Sequence, residues 1–191
     1  MRLLLIGAPG SGKGTQAERL AQRLSITHIS SGDLLRQHVV DETALGMKVK
    51  QYVGHGDLVP DQLVLDMLRK PIVAASESGG YVLDGFPRTV EQAEIAYETA
   101  KELGVAVQVA IFLDVGRDEL VRRLLARNRG SDDSQEVIEH RLEVYEEKTR
   151  PMIAYYAERE KLITVNGERP PDEVTWSITV QLQRIRRKLD D

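Results

Sequence analysis

The 191-residue chain carries 26 Lys and Arg against 30 Asp and Glu, a formal net charge of −4, and has no cysteine. A chain of this length buries roughly 70% of its unfolded surface in one domain without staples, and the lack of cysteine excludes disulfides and thiolate metal sites, in keeping with a cytoplasmic protein. The acidic balance argues against nucleic-acid binding, and no apolar run is long enough to span a membrane, the first being cut by Gly7 and Pro9 short of a signal-peptide core.

In chain order, Leu3-Leu4-Leu5-Ile6 predicts a buried strand that empties into Gly7-Ala8-Pro9-Gly10-Ser11-Gly12-Lys13. Strand, glycine-rich turn and lysine in that order predict a loop that cradles phosphates. Glycines at 7, 10, 12 and 14 permit left-handed angles that turn N–H groups inward, and the following helix offers its positive end to the same anion. The spacing matches G-x-x-x-x-G-K, but Gly14 takes the place of the usual Ser or Thr and the hydroxyl arrives at Thr15, which leaves the magnesium ligand open. Ala17, Leu20, Ala21 and Leu24 fall at helical spacing and predict one buried stripe. His28-Ile29 reads as the next strand. Residues 30–59 hold two short helical patterns where a plain connection needs only a few residues, so an inserted small domain is expected there. Within it, Arg36 has forked donors suited to an anion.

Tyr81-Val82-Leu83 predicts a third strand ending in Asp84, a carboxylate placed to accept a hydrogen bond from magnesium-bound water beside the Lys13 loop. The alternative is an Asp-Gly turn. Arg88 follows a turn stiffened by Pro87 at the carboxyl edge of the sheet, where open α/β sheets bind ligands, and it implies a second anion. Thr89-Val90-Glu91-Gln92 has capping-box spacing and Gly104 supplies a stop, predicting a helix over 90–103. Further strands are expected over 107–113 and 162–165. Leu120, Val121, Leu124 and Leu125 predict a helix stripe, and so do Val174, Ile178, Leu182, Ile185 and Leu189 in a helix from about 172. The basic end of that last helix, Arg184, Arg186, Arg187 and Lys188, reads as structural. Arg123 and Arg127 share a face four residues apart, at the root of a polar loop over 128–134 that also holds Arg129. Like charges stacked this way call for an anion between them, or for an acid such as Glu119, Asp132 or Asp133. The strand and helix alternation makes the fold class α/β: a three-layer P-loop fold with a five-stranded parallel sheet.

Three stretches, Gly7-Ala8-Pro9-Gly10-Ser11-Gly12-Lys13-Gly14-Thr15-Gln16, Gly56-Asp57-Leu58-Val59-Pro60-Asp61 and Asp84-Gly85-Phe86-Pro87-Arg88-Thr89, together resemble adenylate kinase, over residues 1 to about 167. The Gly14-Thr15 placement is the form this family uses. The resemblance implies that Gly10, Ser11, Gly12, Lys13, Gly14, Thr15, Arg127 and Gly167 bind ATP. It implies that Ser31, Arg36, Asp57, Leu58, Val59, Gly85, Arg88, Gln92, Arg129 and Arg141 bind AMP, Gln92 reading the base and Arg36 and Arg88 holding the phosphate. Lys13, Asp84, Arg88, Arg123 and Arg127 are the implied catalytic set, with Mg2+ held through water by Asp84. A core over 1–29, 60–127 and 136–191 would carry an NMP-binding insertion over 30–59 and a short lid over 128–135, which lacks the cysteines of a zinc-bearing lid. Ser31 stands where the family usually has Thr, and Arg129 matches the family's lid arginine with a one-residue shift.

The implied reaction is reversible phosphoryl transfer from ATP to AMP, giving two ADP, in a monomer whose partners are ATP, AMP and ADP. The acceptor phosphate is already ionised, so no general base is required, and His28, His38, His55 and His140 fall in no matched motif. Closure over the substrates would exclude water, with Gly54, Gly56 and Gly85 as flex points. Two other readings stay open on the residues alone. One is a kinase for UMP, CMP or a small hydroxyl substrate, for which Asp33 is the obvious base. The other is a P-loop nucleotide switch, which leaves Arg36, Arg88, Arg123 and Arg127 unexplained.

Overall fold

A computed structural model describes residues 1–55, 57–127 and 134–190, the side chains of 186–190 excepted. Gly56, Arg129, Asp132 and Asp133, and the side chains of Arg186, Arg187, Lys188 and Leu189, therefore lie outside the described residues. The elements in chain order are β1 (Arg2–Ile6), α1 (Lys13–Leu24), β2 (Thr27–Ser30), α2 (Ser31–Val40), α3 (Ala44–His55), α4 (Asp61–Glu77) and β3 (Tyr81–Asp84). There follow α5 (Val90–Glu102), β4 (Val109–Asp114), α6 (Arg117–Arg127), α7 (Gln135–Val144), a π turn (Tyr145–Thr149), α8 (Met152–Ala157), β5 (Leu162–Asn166) and α9 (Pro171–Asp190).

The five strands form one sheet in the order β2-β3-β1-β4-β5, every pairing parallel. Strand alternation sends Leu4, Ile6, Leu83 and Ala110 to one face and Leu3, Leu5, Val82, Ile111 and Val165 to the other. Both sets are buried because helices cover both faces, which is why the strands read as continuous apolar runs. On the Leu3 face, Ala17 and Leu20 of α1 pack with Val174, Ile178 and Leu182 of α9. The other face is covered from α2 to α5 and by α8, through residues such as Leu35, Val49, Leu68, Ala93 and Met152. A third cluster joins α6 and α7 through Leu120, Leu124, Ile138 and Leu142, with Ala8 of the first loop beneath them. The three-layer expectation holds.

Several local expectations change. Leu125 is 51% exposed, so the buried stripe of α6 narrows to Leu120 and Leu124, the pair that faces α7. Gly14 lies inside α1 with ordinary helical angles, not left-handed ones. The periodicity leaves α4 unassigned, and its interior Pro71 removes a ladder donor from a helix that still buries Val64, Leu68 and Ala75. Thr89 does cap α5, accepting the N–H of Gln92 at 3.1 Å, and Gly104 takes the left-handed stop. α1 is fastened to α9: Gln16 donates to the Pro171 carbonyl at 3.0 Å and accepts from the Thr175 hydroxyl at 2.7 Å. Among the described residues, no helix is long and apolar enough to cross a membrane.

Candidate active site

β1 lies between β3 and β4; the connection from β1 runs to β2 on one side and that from β3 to β4 on the other, which opens a crevice at the carboxyl ends of the strands. The first loop turns in that crevice. Gly12 is the N-cap of α1 at φ 94°, and Gly10 has φ 84°. A Cβ on Gly10 would also stand 2.9 Å from the Leu124 side chain and 3.0 Å from the Leu120 carbonyl, so the loop depends on glycine there. The positive end of α1 opens at this loop, an arrangement suited to an anion. Among the described residues, the Ser11 Oγ, buried in this loop, has no hydrogen-bond partner.

Lys13 Nζ donates to the carbonyls of Gly7 at 2.8 Å and Ala8 at 2.9 Å. Loss of hydration pulls its pKa down to about 8; Asp84 opposes that fall, while Arg88, Arg127 and Arg141 add to it. Asp84 ends β3, with one carboxylate oxygen 3.9 Å from where a Cβ would stand on Gly14. A carboxylate thus faces the first turn of α1 beside Thr15. Such hard oxygen donors suit magnesium held mostly by water and phosphate, and no cluster of three or more His, Asp or Glu forms a protein cage among the described residues.

A cleft of about 790 Å³ contains the predicted Gly10, Ser11, Gly12, Lys13, Gly14, Thr15, Asp84, Arg123, Arg127 and Gly167. Beside it is a recess of about 50 Å³ that contains Ser31, Asp57, Val59 and Gln92. Arg36, Leu58, Gly85, Arg88 and Arg141 line both, together with Gly32, so three guanidinium groups stand in the wall common to the two spaces. Every predicted residue within the described part is thereby brought to one place. Burial lowers the pKa of Arg88, with Asp84 acting against that and Arg141 and Arg36 reinforcing it. Its Nε donates to the Gly85 carbonyl at 2.7 Å. Gly85 has φ 85°, and a Cβ there would lie 2.6 Å from Ser31 Oγ, so the exit of β3 presses on the start of α2. Arg36 is paired with Asp33.

The charge problem at Arg123 and Arg127 is answered in part by Glu119. Its carboxylate accepts from Arg123 Nε at 2.6 Å and from Arg122 at 2.6 and 2.7 Å. The hydrogen bonds from Arg122 and then Arg123 hold the Glu119 carboxyl down to about 2. Arg123 also donates to the Gly167 carbonyl at 3.0 Å, tying α6 to the loop after β5.

Two contacts had no sequence signal. Gln92 is buried, and its carboxamide does not return to the N-cap as in a full capping box. Its Oε1 accepts from the Arg88 N–H at 2.7 Å and its Nε2 donates to Asp61 Oδ1 at 2.6 Å. His140, on α7, lies 2.8 Å from Asp57. Neither contact follows from spacing, because the partners are 31 and 83 residues apart.

A sequence model of one family, adenylate kinase, matches residues 5–161. The chain is similar to adenylate kinase 1 of Nostoc sp., 46% identical over 181 residues that cover 95% of this chain and 98% of that one. It is 43% identical over 190 residues to the adenylate kinase of Trichodesmium erythraeum, covering 97% and 99% of the two chains. With the adenylate kinase of Thermobifida fusca it shares 44% identity over 178 residues, 92% and 94% of the two chains.

Proposed function

The chain belongs to the adenylate kinase family and transfers a phosphoryl group from ATP to AMP to give two ADP, and we propose that the wall of Arg36, Arg88 and Arg141 is where its two nucleotides meet. The observation that carries this reading is the sharing of that wall by the cleft and the recess. ATP runs along the cleft, its phosphates on the loop from Gly10 to Thr15 and on Lys13. AMP lies with its base towards Gln92 and its phosphate on the shared arginines. A hydroxyl acceptor would need a base, and the obvious one, Asp33, is paired with Arg36. A nucleotide switch has no use for a recess walled by three arginines.

In the transfer, an AMP phosphate oxygen forms a bond to the γ-phosphorus of ATP in line with the departing β–γ bridging oxygen, whose bond breaks. The attacking oxygen is already ionised, and the bridging oxygen keeps the electron pair of the broken bond and leaves as a terminal β-phosphate oxygen of ADP, so no proton moves. Charge spreads over the transferred group, where Lys13, Arg88, Arg123 and Arg127 act as fixed donors. Asp84 would hold Mg2+ through water, and the ion would supply positive charge that offsets the charge of the phosphates. The base enters as the 30–59 segment moves outward, pivoting near Gly54 and Gly85, and is enclosed as that segment returns; the lid expected over 128–135 lies largely outside the described residues. A cytoplasmic location suits a chain without cysteine, and a monomer suffices because one chain supplies the groups for both nucleotides.

A coupled assay of ADP formation from ATP, with AMP, UMP, CMP and shikimate offered as acceptors, tests the assignment. AMP is expected to lead the others by about a hundredfold or more in kcat/KM. Equal use of UMP or CMP would overturn the placement of an adenine at Gln92.

A further inference from the structure

We propose that Asp61 is a positioning residue that sets acceptor specificity: by fixing which way the Gln92 carboxamide points, it makes the site choose a 6-amino purine over a 6-oxo purine. The proposal rests on the reading that Gln92 faces the AMP base. A glutamine carboxamide is nearly symmetric in shape, and a half-turn of its last torsion exchanges its oxygen and its NH2. Left unrestrained, it pairs with either polarity of partner. A free Gln92 would therefore discriminate weakly between base edges that differ only in the order of donor and acceptor.

Here both ends of the carboxamide are held by groups whose character cannot reverse. The main-chain N–H of Arg88 is a donor alone, and it meets Oε1 at 2.7 Å. The Asp61 carboxylate is an acceptor alone, and it takes Nε2 at 2.6 Å. A half-turn would set oxygen against carboxylate and NH2 against N–H, breaking both bonds at a side chain only 2% exposed, where water cannot replace them. Asp61 opens α4 and sits in its first turn, at the positive end of the helix.

After these two bonds the carboxamide keeps one N–H and one lone pair, and Gln92 lines the recess with Ser31 and Leu35. A donor beside an acceptor in fixed order matches the adenine edge, where the ring N1 accepts and the 6-amino group donates. Hypoxanthine reverses both, its N1–H facing the amide N–H and its 6-oxo group facing the amide oxygen. Gln92 supplies the contact, and Asp61 supplies its direction.

The test compares kcat/KM for AMP and for inosine monophosphate, at saturating ATP, in the wild type, Asp61→Asn and Gln92→Ala. An asparagine keeps size and helix start but both accepts and donates, so the carboxamide can turn. Asp61→Asn is expected to lower the AMP to inosine monophosphate ratio about tenfold, with the KM for ATP within about twofold of wild type and the melting temperature retained; Asp61→Glu restores part of the ratio. A parallel fall for both acceptors, with the ratio unchanged, would assign Asp61 a purely structural role and overturn the proposal. Gln92→Ala separates the two layers. If it leaves the ratio at the wild-type value, the placement of the base at Gln92 fails; if it collapses the ratio while Asp61→Asn does not, only the part given to Asp61 fails. Should Asp61→Asn not fold, Asp61→Ser measured in the same way decides.

Discussion

His140 Nε2 stands 2.8 Å from Asp57 Oδ1, joining α7 to the loop that closes the α2–α3 segment. Both side chains are nearly half exposed, 42% and 45%, which limits the contact to about 0.2–1 kcal/mol. That biases a moving segment without locking it. His140→Ala is expected to raise the KM for AMP by up to about fivefold and to leave the KM for ATP unchanged. Steady-state kinetics with each nucleotide varied in turn checks this; equal rises in both would detach the contact from the acceptor side.

The depressed pKa of Lys13 gives two pH slopes of opposite sign. Its folded value of about 8 lies below the usual 10.5, so between those values the folded chain binds fewer protons than the unfolded one, and stability rises with pH. The cost of burying the ammonium is present in full below pH 8 and is relieved towards 10.5. ATP binding runs the other way, because the ammonium is lost as pH passes 8. Thermal unfolding without nucleotide and ATP titration, both at pH 7 and pH 9, read the two slopes. Lys13→Met is expected to remove both and to cost about two to three decades in turnover. Equal ATP affinity at the two pH values in the wild type would reject the role given to Lys13.

Arg88→Ala is expected to damage AMP use far more than ATP binding, since the guanidinium stands in the wall between cleft and recess while the Lys13 loop is left intact. Isothermal titration with each nucleotide separates the effects. Equal losses of both affinities would mean that the acceptor has no site of its own.

Two adenosines joined by five phosphates are expected to bind far more tightly than ATP or AMP, because linkage makes the second contact intramolecular. The mimic should also raise the melting temperature in step with its concentration. One mimic per chain with an affinity no better than that of ATP would leave a single nucleotide site.

The phosphate loop was legible because its physics is local: a buried strand, glycines and a lysine act within fourteen residues of the chain start. The sheet was legible for a similar reason, since strands covered on both faces leave unbroken apolar runs such as Leu3 to Ile6. Spacing fails where two distant segments meet. Nothing within α5 says that Gln92 will turn to Asp61 and Arg88 instead of back to Thr89, and Asp57 gives no sign of a histidine 83 residues on. Leu125 misled because an apolar residue at helical spacing does not announce whether a neighbouring element will cover it, and α7 covers only the Leu120 and Leu124 side. α4 escaped notice because Pro71 interrupts its pattern, although the helix tolerates it.

The hydrogen bond from the Thr175 hydroxyl to Gln16 gives the molecule an optical gauge. Gln16 follows the phosphate loop on α1, and Thr175 adjoins Trp176, the chain's single tryptophan, which is 64% exposed on α9. A strain placed on the loop by a polyphosphate has a short mechanical path to that indole, whereas a ligand in the recess beside Gln92 acts on elements across the opposite face of the sheet. Emission from Trp176 should therefore respond to ATP and stay nearly still for AMP, letting occupancy of one side be followed by light without a label.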